Sequence, residues 1–246
     1  MVSIIAEIGL NHLGFEKTAY RMLDKLLKTS VDVITFQIRE QTYYDQSDTW
    51  RNPLSNNFYE TAIKLSHAHN KLIGFAVAEP SMIAFLNTSG ADFWKTLSWD
   101  LLNDDLHSLL QKTGKKTFVS TGISSIDDII TASNKLVNIN FIHTQLSHQL
   151  EDVNLLAIES IRNITRKDVA FGLHCLDPKV MYVSLGLRPS SIFFYVKENL
   201  QEKYPDDEHA IPLDDVDEIA SNLKRLSVCM GSGNKQKIAR AEWGTV

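Results

Sequence analysis

The chain is poor in the residues that hold small secreted domains together. It has only two cysteines, Cys175 and Cys229, among 246 residues, which excludes a disulfide framework, and no four-ligand zinc spacing exists. It has no surplus of basic residues. Twenty-five lysines and arginines against thirty aspartates and glutamates leave a formal charge of −5. That argues against a general nucleic-acid binder while leaving room for a local basic pocket. No run approaches the roughly 20 apolar residues of a membrane span, and the N-terminus lacks the basic region, apolar core and cleavage site of a signal peptide. There is no sequence repeat and no low-complexity segment. These absences predict a soluble cytoplasmic protein that uses neither nucleic acid nor a membrane as partner.

What is present is enough for a full core: 43% of the residues are hydrophobic, and the length suits one α/β barrel. Eight times a short β-rich run is followed by a segment of helical period. The predicted strands are Ile4–Ile8, Asp32–Ile38, Leu72–Ala78, Phe93–Ser98, Thr117–Thr121, Asn140–Gln145, Asp168–His174 and Ser191–Lys197. Apolar stripes at Ala19, Met22, Leu23, Leu26 and Leu27, at Leu102, Leu106, Leu109 and Leu110, and at Val216, Ile219, Ala220, Leu223 and Leu226 predict helices between and after them. Regular alternation with short connections points to a single (β/α)₈ barrel over residues 1–246. The connection 198–213 is long, acidic and marked by Pro205 and Pro212; following the eighth strand, it is expected over the barrel mouth.

The first strand ends in a carboxylate. Ile4-Ile5-Ala6-Glu7-Ile8-Gly9-Leu10-Asn11-His12-Leu13-Gly14 delivers Glu7 from an apolar run and then breaks into a polar loop. A carboxylate there needs a partner or a task. Hydrogen bonds from its own loop would suffice for the first; catalysis by Glu7, with Asn11 and His12 beside it, would be the second.

Glu-Ile-Gly-x-Asn-His-x-Gly resembles the opening of the sialic acid synthase family, whose members condense phosphoenolpyruvate with an amino sugar. The resemblance continues in order along the chain. Val33-Ile34-Thr35-Phe36-Gln37 is similar to a strand ending in Lys-Phe-Gln, and Phe93-Trp94-Lys95-Thr96-Leu97-Ser98-Trp99-Asp100 to Phe-Lys-Ile-x-Ser-Gly-Asp/Glu. Val119-Ser120-Thr121-Gly122-Ile123-Ser124 resembles the family's Ser-Thr-Gly-Met-Ser turn, Phe141-Ile142-His143-Thr144 its His-Cys-Thr strand, and Gly231-Ser232-Gly233 its Gly-Ser-Gly. The resemblance implies an aldolase-type TIM barrel and an anion site for phosphoenolpyruvate on Lys95, Ser98 and Ser120, with Gln37 nearby. Thr35 stands where the family has a second lysine, and Arg39, four residues on, is the candidate replacement charge.

The resemblance also implies a divalent ion, typically manganese, acting as a Lewis acid on the sugar aldehyde. Its two histidine positions hold Leu176 and Tyr195 here, so the inherited ligands are lost; His174, Asp177 and His143 are the candidates for a relocated site. The family's C-terminal antifreeze-like domain, which reaches across a dimer, is not expected in this chain, nor is the hairpin before the first strand. Pro205-Asp206 resembles the family's Gly-Pro-Asp-His loop, with His209 as a shifted histidine. Three functions are compatible with these residues. One is a phosphoenolpyruvate-dependent synthase of surface-glycan or nonulosonate biosynthesis. Another is a non-catalytic barrel that partners an active synthase or another glycan enzyme. The third is a lyase or aldolase of altered chemistry. A homo-oligomer is compatible with any of the three.

Overall fold

The computed structural model describes residues 2–46, 52–198 and 203–235. Part of the expected mouth loop, 199–202, and the last stretch of the expected domain, 236–246, lie outside the described residues. The strands β1 (Ser3–Gly9), β2 (Val33–Ile38), β3 (Leu72–Val77), β4 (Phe93–Thr96), β5 (Thr117–Ser120), β6 (Ile139–His143), β7 (Val169–Gly172) and β8 (Ser191–Lys197) pair in parallel in sequence order. β1 also pairs with β8, which closes the barrel. Each predicted strand is present, several ending one or two residues early, because a ladder stops where its neighbour turns away. A two-residue strand β9 (Ile211–Pro212) pairs with Val196 and Lys197 and so fastens the connection after β8 to that strand's C-terminal end.

The helices are α1 (Glu16–Leu27), α2 (Gln41–Tyr44), α3 (Asn56–Ala68), α4 (Met82–Ser89), α5 (Asp104–Lys112), α6 (Ile126–Lys135), α7 (Ala157–Thr165), α8 (Val180–Ser184) and α9 (Val216–Ser227), of which α1, α5 and α9 carry the expected apolar stripes. α1 buries Ala19, Met22, Leu23, Leu26 and Leu27. α9 buries Val216, Ala220 and Leu223, with Ile219 and Leu226 packed at its flank. The stripe expected from Leu102 to Leu110 is narrower. Leu102 precedes the Asn103 cap and is exposed, as is Leu109, while Leu106 and Leu110 are buried. Among the described residues no helix is long and apolar enough to cross a membrane.

Strand alternation divides the core in two. Outward residues such as Ile4, Ile34, Phe75, Phe141 and Phe194 join the helices in one large cluster. Inward residues Ile5, Val33, Phe93, Phe118, Ile142, Ala170 and Phe193 fill the barrel. There Phe118 stands edge-to-face with Phe93 and Phe193, at 5.2 and 5.1 Å between centroids. Gly74 makes that layer fit, since a Cβ at this position would lie 2.2 Å from the Phe93 ring. A bulky residue there would displace the aromatic floor.

Candidate active site

The site is the next inward layer. Two residues beyond Ile5, Val33, Phe93, Phe118 and Phe193 along the same strands come Glu7, Thr35, Lys95, Ser120 and Tyr195, so an apolar floor carries a polar mouth. Above it lies a cavity of about 450 Å³, lined among others by Gln37, Arg39, Lys95, Ser98, Ser120, His174, Tyr195 and Asp206. At its base Lys95 Nζ donates to Glu7 Oε2 at 2.5 Å, both side chains buried. Thr35 Oγ1 adds a longer contact of 3.4 Å to the same oxygen. The partner Glu7 requires is therefore Lys95, eighty-eight residues away in sequence, and not its own loop. The ammonium also lies 5.4 Å from the ring centroids of Phe193 and Tyr195, a distance at which aromatic faces stabilise a cation. Ser98 and Ser120 share a hydrogen bond of 2.9 Å. Gly122 leaves them room: a Cβ there would sit 2.6 Å from Ser98 Oγ.

Asn11 and His12 are brought near Glu7 in the chain but have other partners. Asn11 Nδ2 donates to the Val196 carbonyl at 2.8 Å, and its Oδ1 accepts from the Asp206 amide at 3.1 Å. It thus staples the loop after β8 to the barrel. His12 Nδ1 accepts from the Gly14 amide at 3.0 Å, so a neutral ring carries its proton on Nε2, which is buried without a hydrogen-bond partner among the described residues. Burial lowers this imidazole to about 4, and it stays neutral. Neither residue lines the mouth cavity.

Arg39 lies just past the end of β2 and does face the mouth, but its charge is already matched. Its guanidinium donates to both oxygens of Glu40, at 2.9 and 2.8 Å, and stacks 4.1 Å over Tyr43. As the replacement for a lost lysine it is therefore largely neutralised.

The relocated ligand set is not brought together. His143 sits on the outward face of β6, donates from Nε2 to the Val153 carbonyl at 2.9 Å, and lines a separate cleft of about 310 Å³ beside α6 and α7. Strand parity turns it outward: Phe141 belongs to the outer cluster, and Ile142 is its inward neighbour. Asp177 accepts from the Lys179 amide at 2.9 Å, shaping the turn into α8. Of the three, only His174 reaches the mouth. There it meets His209, at 4.5 Å between ring centroids and a tilt of 30°, and Tyr195 at 5.7 Å. His148 lies on the other side of His209 at 5.4 Å. Burial first, then His209, Lys95 and His148, lowers His174 to about 3, and burial first, then His148, Lys95 and Lys197, lowers His209 to about 4.

These residues do not fit the implied divalent ion. Leu176 is 53% exposed and offers no lone pair. Tyr195 fills its position with a ring whose Cε1 would lie 2.7 Å from a Cβ on Gly9, a glycine at φ +56°. Burial, with Glu7 and Asp206 next, drives its phenol well above the ordinary range, so it remains a neutral O–H and a poor ligand. The stacked imidazoles present ring faces to one another. Among the described residues no group of three histidine, cysteine or carboxylate side chains converges on a metal position.

The residue missed among the site candidates is Asp206. Its loop reaches the mouth because Asn11 holds its amide, and burial, with Glu7 adding to it and Lys95 opposing, pushes its carboxyl up to about 7. Only the Pro205-Asp206 pair in the sequence hinted at it. Trp99 and Tyr43 also line the mouth; nothing in composition or spacing marked them.

Comparison with known proteins agrees with this architecture. A family model described as the NeuB family matches residues 2–235. An uncharacterized protein of Methanocaldococcus jannaschii is 29% identical over 253 residues, covering 94% of this chain and 73% of its own. The N,N'-diacetyllegionaminic acid synthase of Campylobacter jejuni is 24% identical, covering 95% and 78%. The crystal structure of the N-acetylneuraminic acid synthetase of Leptospira borgpetersenii, in complex with citrate, superposes with a TM-score of 0.88 at 20% identity, covering 97% of this chain and 88% of that one.

Proposed function

Because this chain belongs to the NeuB family, we propose that it serves surface-glycan or nonulosonate biosynthesis by joining phosphoenolpyruvate to the aldehyde of an amino sugar. The names of its synthase relatives support the reading. One observation carries it: the buried Lys95–Glu7 pair beneath the Ser98–Ser120 hydroxyls at the base of the cavity. An ammonium and two hydroxyls are suitable donors for a carboxylate and a phosphate. In the resting chain Lys95 is held by Glu7. On anion binding Lys95 turns to the ligand and Glu7 is left as a carboxylate beside the reacting atoms. In the reaction a carbon–carbon bond forms between the enolpyruvate methylene and the aldehyde carbon, water adds to the former enol carbon, and inorganic phosphate leaves. Glu7 takes one proton from that water and passes it to the former aldehyde oxygen, which becomes a hydroxyl, while the water's other proton leaves with the phosphate. No step is assigned to a metal ion, since the ligand positions do not fit one.

A second reading, a non-catalytic barrel that partners an active glycan enzyme, draws support from Tyr195 and Leu176 at the implied metal positions. Calorimetric titration with phosphoenolpyruvate, followed by assay of phosphate release with N-acetylmannosamine, separates the two. Binding that weakens at least about tenfold in Lys95→Met, accompanied by phosphate release, supports the synthase. Binding without any release favours the non-catalytic barrel. Absence of binding removes both the anion site and the synthase.

A further inference from the structure

The outer half of the mouth has no task in that reaction. Trp99 sits in the short 3₁₀ turn Ser98–Asp100, between two buried neighbours, yet is itself 54% exposed. The turn is well tied. The Asp100 amide donates to the Leu97 carbonyl at 2.9 Å, the Asn103 amide to the Asp100 carbonyl at 3.1 Å, and Asn103 Nδ2 to Asp100 Oδ1 at 3.0 Å. The backbone that carries the indole is thus fixed while much of the ring stays in water, forgoing the burial that usually stabilises it. Arg39 lies across from it, its guanidinium carbon 5.2 Å from the Trp99 ring centroid and 4.1 Å from that of Tyr43. The Glu40 fork holds that guanidinium in position.

We propose that Trp99, faced by the Tyr43–Arg39–Glu40 group, is a platform for an uncharged sugar ring, the acceptor of the reaction proposed above. It rests on that reading only for the identity of the reaction. The indole face carries the negative side of an aromatic quadrupole and takes the C–H face of a pyranose. Guanidinium N–H groups not used by Glu40 are donors for ring hydroxyls or an N-acyl oxygen. Charge at this end of the mouth favours a neutral ring: Arg39, the cation beside the platform, is already forked by Glu40, and Lys95 at the base is the cation the enolpyruvate takes. A sugar phosphate at the platform would meet only a guanidinium whose charge Glu40 already matches.

The test titrates N-acetylmannosamine, N-acetylmannosamine 6-phosphate and phosphoenolpyruvate separately into the wild-type protein, Trp99→Ala and Trp99→Phe, with thermal melts to verify folding. The platform predicts that Trp99→Ala weakens N-acetylmannosamine binding about tenfold, that Trp99→Phe stays within about threefold, and that phosphoenolpyruvate affinity changes less than about twofold. Equal N-acetylmannosamine affinity in the alanine variant, or no binding to the wild type, overturns the platform. Tighter binding of the 6-phosphate overturns the assignment of an uncharged ring. If phosphoenolpyruvate does not bind but N-acetylmannosamine binding still depends on Trp99, the platform stands and the synthase reading falls.

Discussion

Substituting Glu7→Gln removes the counter-charge of an ammonium that has almost no access to water. Lys95 and Glu7 side chains are 7% and 4% exposed, so solvent screening gives little relief. Removing one member of such a pair costs about 3–5 kcal/mol, chiefly from the charge left behind. For a domain of this size each kcal/mol lowers Tm by about 2–4 °C, so Glu7→Gln should melt roughly 6–20 °C below the wild type. Lys95→Met should lose a comparable amount, since Glu7 would retain only the 3.4 Å Thr35 contact. The double variant has no buried charge to strand and should lie within about 2 kcal/mol of the wild type. Urea unfolding of the four proteins gives the cycle, with an expected coupling of at least about 2 kcal/mol. Single variants that each lose less than about 1 kcal/mol, with additive effects, would refute the account of the pair.

Restoring imidazoles at the implied ligand positions, Leu176→His with Tyr195→His, should create manganese affinity if the backbone keeps the geometry of its relatives; electron paramagnetic resonance of free manganese measures it, and unchanged free ion contradicts the expectation. Stability should fall on acidification below about pH 6.5, the unperturbed histidine value, because folded His174 and His209 resist protonation down to about 3 and about 4 while the unfolded chain takes up protons. Urea unfolding of His209→Gln between pH 4 and 6.5 should therefore be less pH-dependent than that of the wild type. Asp206 has the opposite sign: its folded carboxyl, at about 7, holds a proton the unfolded chain releases, so it withdraws stability as pH rises from about 4 to 7. Asp206→Asn should remove that loss, and an unchanged slope would count against its burial.

The barrel was readable because parallel strands covered on both faces need nearly continuous apolar runs, and their inward parity can be counted. The same parity aligned Glu7, Lys95 and Ser120. It could not reveal that Lys95 is engaged by Glu7, because that contact depends on barrel closure across three strands. Arg39 was placed on the correct side. Its neutralisation by the adjacent Glu40 depended on the chain turning into α2 at that point. His143 was misassigned to the mouth although Phe141, two residues before it, belongs to the outward cluster. Asp206 depends on an Asn11 staple from the other end of the chain, which no local pattern announces.

The central claim is that an enolpyruvate anion and Glu7 compete for Lys95. The affinity of phosphoenolpyruvate for the wild-type protein and for Glu7→Gln, measured by calorimetry at one pH and one salt concentration, tests it directly. Although Glu7→Gln is the less stable protein, it should bind phosphoenolpyruvate at least about tenfold more tightly, because the ammonium no longer has to leave a carboxylate. Equal or weaker binding by the variant, or no binding by either protein, would contradict the claim.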